Sequence, residues 1–283
     1  MRKVFRLELG DGRVLRLGER TLIVGILNVT PDSFSDGGQH LDSAIAIERG
    51  LAMESEGADI VEVGGESTRP GSRALSEDEE LVRVAPVIKE LGKRLRVPIA
   101  IDTYKSAVAR AALDLGASVV NDVSALRFDP RLGDEVARSR AVVVLMHMHG
   151  EPATMQKIEP SPDIFAEVES AFKTAIGEAE SRGVGREKII LDPGIGFGKT
   201  LEQNLAIINR LDRFDRFGLP LMIGTSRKSF IGRLTGRPEG ERVFGTAASV
   251  ASAIIRGAHL VRVHDVREMV EVARIVDAIL VAD

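Results

Sequence analysis

The sequence predicts an α/β protein, a single (β/α)8 barrel of the TIM type preceded by a short N-terminal β-hairpin, and three observations carry that expectation. Eight short runs rich in Val and Ile recur along the 283 residues. Each is followed by a stretch of helix length, which is the pattern of βα units around a parallel sheet. The last run is followed by one full helix, as the eighth unit of a closed barrel would be. Periodicity alone leaves a doubly wound open sheet as the alternative.

The hairpin comes first. Residues 4–9 and 13–17 alternate apolar and polar side chains around Gly10, Asp11 and Gly12, a turn composition that brings two strands back on each other. This sets residues 1–20 apart from the barrel, 21–283, and the whole reads as one domain. Strands are expected at 22–28, 59–63, 99–102, 118–122, 142–146, 189–192, 221–224 and 260–263. Helices are expected at 43–55, 77–91, 105–115, 131–139, 165–182, 201–214, 245–256 and 267–281. The connections at 30–40 and 64–76 are longer and rich in Gly, Ser, Asp and Pro; both follow a strand, so they read as functional loops on the C-terminal face.

Composition narrows the function. With 44% hydrophobic and 28% charged residues, the chain can bury a large core and keep a solvated surface, which excludes a disordered or fibrous protein. A net charge of -4 gives no electrostatic footprint for nucleic acid. The absence of cysteine excludes disulfides, thiolate metal ligands and a cysteine nucleophile. Arg2, Lys3, Arg6 and Glu8 interrupt the apolar residues at the start, and no run of about 18 apolar residues follows. No membrane association and a cytoplasmic location are therefore expected.

Polar residues recur where the expected strands end: Asn28, Glu62, Asp102, Asn121 with Asp122, His147, Asp192, Ser226 to Lys228, Arg262 and His264. In a barrel these converge on one rim. Asp102, Asn121 and Asp192 suit a planar heterocycle with alternating donors and acceptors. Lys228, Arg262, His264 and Arg69 suit an anion such as a phosphate. His147, between two methionines, reads as a core or pocket-wall histidine rather than an acid–base catalyst. The glycines of 192–199 are by themselves weak evidence for phosphate binding.

Five blocks then sharpen the picture: GILNVTPDSFSDGG at 25–38, GGESTRPG at 64–71, DPGIGFGK at 192–199, TSRK at 225–228 and RVHD at 262–265. In this order and at these strand positions the sequence resembles the dihydropteroate synthases, the folate-pathway family targeted by sulfonamides. IDT at 101–103, VND at 120–122 and LMHM at 145–148 extend the likeness over nearly the whole barrel. Glu62 departs from it, since the family usually has Asp there, and His149 falls at a position that varies.

The resemblance implies condensation of 6-hydroxymethyl-7,8-dihydropterin diphosphate with p-aminobenzoate, giving 7,8-dihydropteroate and pyrophosphate. It implies that Asp102, Asn121, Asp192 and Lys228 grip the pterin, and that Asn28, Arg69, Arg262 and His264 hold the diphosphate, with Asn28 also a ligand of Mg2+. Phe34, Thr68, Pro70, Phe197 and Ser229 would form the p-aminobenzoate pocket, with Asp36 on the first loop. Catalysis would be electrostatic and SN1-like, with Asp102 stabilising a pterin-methyl cation while Lys228, Arg262, His264 and Arg69 act around it. Sulfonamides as competitive inhibitors and a homodimer are implied as well. Two other readings share the pterin grip: a methyltetrahydrofolate-dependent corrinoid methyltransferase and a non-catalytic pterin-binding paralogue. The first does not call for the anion residues.

Overall fold

Eight parallel strands form a ring in the computed structural model, which describes residues 2–29, 39–67, 73–151, 154, 155 and 157–282. In chain order they are β3 (Leu22–Asn28), β4 (Ile60–Gly64), β5 (Ile99–Asp102), β6 (Val119–Asp122), β7 (Val142–Met146), β8 (Ile189–Asp192), β9 (Met222–Ile223) and β10 (Leu260–Val263). The hydrogen-bonded order runs β8, β7, β6, β5, β4, β3, β10, β9. A parallel bridge between Leu191 and Leu221, with the Leu191 N–H donating to Pro220 O at 3.0 Å, joins the two ends of that order. The sheet is therefore a (β/α)8 barrel, and the open-sheet alternative falls.

The helices α1 (Gln39–Glu56), α2 (Glu77–Arg94), α3 (Ser106–Asp114), α4 (Leu132–Ser139), α5 (Ile164–Ser181), α6 (Leu201–Asn209), α7 (Ser229–Thr235), α8 (Val243–Ile255) and α9 (Val266–Val281) lie between and after the strands. Ile23, Val61, Ile101, Val143 and Leu191 face them in one apolar cluster. The alternate residues face the axis, which is why both sides of each strand are apolar and the runs look continuous in sequence.

Three departures from expectation stand out. The expected helix 201–214 stops at Asn209, because Arg210 leaves helical geometry at φ -127 and ψ 36, and a 3-10 segment, Leu211–Phe217, continues it. The seventh barrel strand is two residues rather than four. Its neighbour Gly224 lies against Arg262, where a Cβ would meet the arginine Cβ at an ordinary contact distance of 3.6 Å. A seven-residue helix, α7, precedes α8 and ends on Gly236 in the left-handed region at φ 72; it is too short to show a clear period.

The hairpin is β1 (Phe5–Glu8) paired antiparallel with β2 (Val14–Leu17). Leu7, Leu9, Leu15 and Leu17 pack against Leu22, Val24, Ile60, Ala100, Val142, Ile190 and Leu260, the deepest axis-facing residues of the strands. The hairpin thus plugs the N-terminal mouth of the barrel. Fully burying each such leucine contributes roughly 1.5–3 kcal/mol.

Candidate active site

Two residues above the plugged floor, the axis-facing positions turn polar. Register places Asp102 beside Asn121 and Gly64, Gly64 beside Asn28, and Asp192 beside Met146. Gly64 matters here for lacking a side chain: a Cβ would lie 3.8 Å from both Asn28 Oδ1 and Asp102 Oδ2 and would fill the space between them.

Arg262 rises from β10 and reaches over β3 to acids on the next two strands. Its Nε donates to Glu62 Oε1 at 2.6 Å, and its Nη2 donates to Asp102 Oδ2 at 2.7 Å and also contacts Glu62 Oε1. The two partners are pulled differently. Arg262 is held charged, yet burial pushes the Asp102 carboxyl up to about 7, with Arg262 opposing and Glu62 reinforcing the rise. Both directions follow from two buried carboxylates sharing one guanidinium, which leaves a surplus negative charge where water is scarce.

Lys228 is aimed by the residue before it. Arg227 stands in the left-handed region at φ 57, an uncommon place for a side chain of its size. It is held there on three sides: its Nε donates to Asp265 Oδ2 at 3.0 Å, its N–H to Thr246 Oγ1 at 3.0 Å, and its carbonyl accepts from Arg242 Nη1 at 2.8 Å. The turn carries Lys228 over the Phe197 ring, 4.5 Å from its centroid, with Nζ donating to Ile195 O. Burial pushes its ammonium down to about 8 against the pull of Asp192. Asp192 itself is pushed up by burial while accepting from the Gly194 N–H at 2.7 Å.

Asn121 supplies a different signal. Its Oδ1 is buried with no hydrogen-bond partner among the described residues. Such an atom costs about 1–3 kcal/mol unless something pairs with it, and it points to a donor-bearing ligand. Phe197 belongs to an apolar wall with Met146, Met148, Met155, Tyr104 and Phe128. Ser229 is the first residue of α7, exposed on the same rim. His264 donates its backbone N–H to Ser226 Oγ at 3.1 Å and places Nδ1 3.0 Å from the same hydroxyl. The Ser226 hydroxyl thereby orients the His264 ring.

Asn28, Asp102, Asn121, Asp192, Phe197, Lys228, Ser229, Arg262 and His264 are thus all on one rim. Phe34, Asp36, Thr68, Arg69 and Pro70 lie outside the described residues. His147 turns away from the axis: its Nε2 and His149 Nδ1 share Glu167 Oε1 at 3.0 and 2.7 Å, and burial pushes His147 down to about 3. Its Nδ1 is buried with no hydrogen-bond partner among the described residues.

The Gly-rich stretch is built for close approach between loops. A Cβ on Gly194 would fall 1.9 Å from His147 O and one on Gly198 2.3 Å from His149 O. Lys199, a residue given no role from sequence, fastens this approach by donating to Gly194 O at 2.8 Å, Phe197 O at 3.1 Å and His147 O at 3.3 Å. Another missed group stands at the base of the second long loop. Glu66 accepts from Tyr104 Oη at 2.9 Å, Lys105 Nζ at 2.5 Å and the Leu75 N–H at 3.1 Å. Nothing in the spacing of these residues announces contacts across that distance in the chain.

The pterin binding enzyme family matches residues 24–264. A dihydropteroate synthase of Escherichia coli strain K12 is 46% identical over 260 residues, covering 92% of each chain. The structure of the Xanthomonas albilineans dihydropteroate synthase with 4-aminobenzoic acid superposes with a TM-score of 0.92 at 42% identity, over 99% of this chain and 100% of that one. The Yersinia pestis dihydropteroate synthase in complex with a sulfonamide drug gives 0.92 at 40% identity, over 99% and 100%.

Proposed function

The chain belongs to the pterin-binding enzymes, within the dihydropteroate synthases, and from that premise we propose how its rim performs the reaction. The reaction joins 6-hydroxymethyl-7,8-dihydropterin diphosphate to p-aminobenzoate and releases pyrophosphate, a step of folate biosynthesis. The unpartnered Asn121 Oδ1 carries the reading. It lies on the strand beside Asp102, and together with Asp192 it gives an edge of acceptors for the exocyclic amine and ring N–H groups of a pterin. Lys228, beside Asp192, donates to the pterin carbonyl.

The pterin methylene loses its diphosphate as the C–O bond breaks, and the electron pair leaves with the oxygen. Asp102 stabilises the positive charge left on the pterin side. Arg262, His264 and Arg69 stabilise the negative charge on the leaving group. The amine of p-aminobenzoate, held against Phe197 and near Ser229, then forms the C–N bond and gives up its proton to the departing pyrophosphate. No covalent intermediate with the protein is required, and catalysis rests on charges fixed in advance. Phe34, Thr68 and Pro70 complete the p-aminobenzoate end, where sulfonamides compete, and Asp36 acts from the first loop.

Mg2+ fits these residues. The ion favours few protein oxygens, with phosphates and water completing its shell, and Asn28 Oδ1 offers one such oxygen across the space that Gly64 leaves open. When bound, the ion would be held by Asn28 and would supply positive charge to the diphosphate.

A cytoplasmic homodimer completes the proposal. No helix among the described residues is long and apolar enough to cross a membrane. A groove of about 520 Å³ on the outer face between α6, α7 and α8 is lined by Leu205, Ile231, Leu234 and Ile255. Phe244 stands 86% exposed at the start of α8, and exposed apolar area of this kind marks a protein interface. The test of the function is release of pyrophosphate in a coupled assay with both substrates, run with and without Mg2+. Release that needs both substrates supports it; release independent of p-aminobenzoate contradicts it.

A further inference from the structure

We propose that Glu62 is a positioning residue for the pterin: by holding Arg262 from below, it keeps the guanidinium from closing on Asp102 and leaves that carboxylate for the substrate. The inference rests on the pterin role proposed for Asp102.

Three observations point to it. Glu62 is 2% exposed and lies one layer deeper than Asp102, paired in register with Ala100. Beneath it the barrel is apolar, with Val24, Ile60, Val144 and Ile190 around a space of about 10 Å³, about the size of one water-sized probe. Arg262 commits Nε wholly to Glu62 and divides Nη2 between Glu62 and Asp102. A carboxylate sealed at that depth requires a counter-charge, and among the described residues Arg262 supplies it.

The consequence is a competition. Arginine pairs best with a carboxylate through two parallel N–H bonds. Without Glu62, the acid within its reach is Asp102, and a two-bonded pair would occupy both Asp102 oxygens. With Glu62 present, Arg262 takes only Oδ2, and the second Asp102 oxygen remains for a pterin N–H. Two acids on one guanidinium also leave a surplus negative charge that favours the donor edge of the ligand.

Calorimetric titration of 7,8-dihydropteroate into purified protein tests this, because that ligand reads the pterin grip without diphosphate. Glu62→Gln is expected to weaken binding on the order of tenfold, and Glu62→Asp, which keeps the charge and is the residue usual in the family, to stay close to wild type. In an Arg262→Ala background the effect of Glu62→Gln is expected to vanish, since it acts through Arg262. A folded Glu62→Gln protein with wild-type affinity overturns the proposal, as does an equal loss with or without Arg262, which would mark a purely structural role. If Glu62→Gln does not fold, a loss on the order of tenfold in Glu62→Asp, which keeps the charge, overturns it. Should Asp102→Asn bind dihydropteroate normally, the pterin assignment itself fails, a result separable from the others.

Discussion

At the N-terminal end of the barrel the axis-facing side chains are Leu22, Ile60, Ala100, Val119, Val142, Ile190 and Leu260, sealed by the hairpin leucines. One or more steps along the same strands, at the same parity, they become Asn28, Glu62, Asp102, Asn121, Asp192 and Arg262. The backbone differs little between the two levels; the environment that each side chain must satisfy differs a great deal. The lower level is closed by packing alone. The upper level contains two acids on one arginine, a lysine pushed down by burial and an amide oxygen without a partner. Stability and chemistry are therefore stacked along one axis and are separable by mutation.

The largest effect is expected at the floor. Leu17→Ala removes a side chain with no exposure from the plug and is expected to cost about 2–5 kcal/mol in chemical denaturation. Turnover below the unfolding transition should stay near wild type. Loss of activity without loss of stability would break the separation.

The converse applies at the rim. Asp102→Ala and Lys228→Ala are each expected to lower turnover on the order of 100-fold, about 2.7 kcal/mol of transition-state stabilisation, with denaturation midpoints close to wild type. Arg262 keeps Glu62 as a partner in the first variant, so no charge is stranded. Near-normal rates in either purified variant remove that residue from the mechanism.

A third effect depends on pH. Asp102 works as a carboxylate and its carboxyl is pushed up to about 7, so kcat/KM for the pterin diphosphate should fall as pH drops below that value. Lys228 works as an ammonium and is pushed down to about 8, so kcat/KM should fall again as pH rises past it. The expected profile is a narrow bell, belonging to the coupled group rather than to either residue alone. A flat profile between about pH 6 and about pH 9 contradicts it.

The smallest effect concerns aim. Ser226→Ala removes the hydroxyl that fixes the His264 ring and is expected to cost about 0.5–1.5 kcal/mol in kcat, with dihydropteroate affinity unchanged. A loss confined to affinity would place His264 at the pterin instead of the leaving group.

Much of this is legible in the sequence alone. The eight runs betrayed the strands because both their faces are buried, and the rim residues stood out as polar groups breaking apolar runs at Asp102, Asn121 and Asp192. What could not be read was partnership. Arg262 reads as an anion-binding cation, yet its reach across two strands to Glu62 exists only once the ring closes. Lys199 and Glu66 are likewise ordinary charges in sequence, and their bonds to neighbouring loops appear only when β7 and β8, or β4 and β5, lie side by side. The short α7 escaped for lack of length, since a period needs several residues to show, and β9, expected at 221–224, pairs over only two residues.

The most direct test of the account is a crystal structure with 7,8-dihydropteroate bound. The account predicts Asn121 Oδ1 within hydrogen-bond distance of a pterin donor, with Asp102 and Asp192 on the same edge of the ring. A ligand seated elsewhere, with Asn121 Oδ1 still unpartnered, would contradict it.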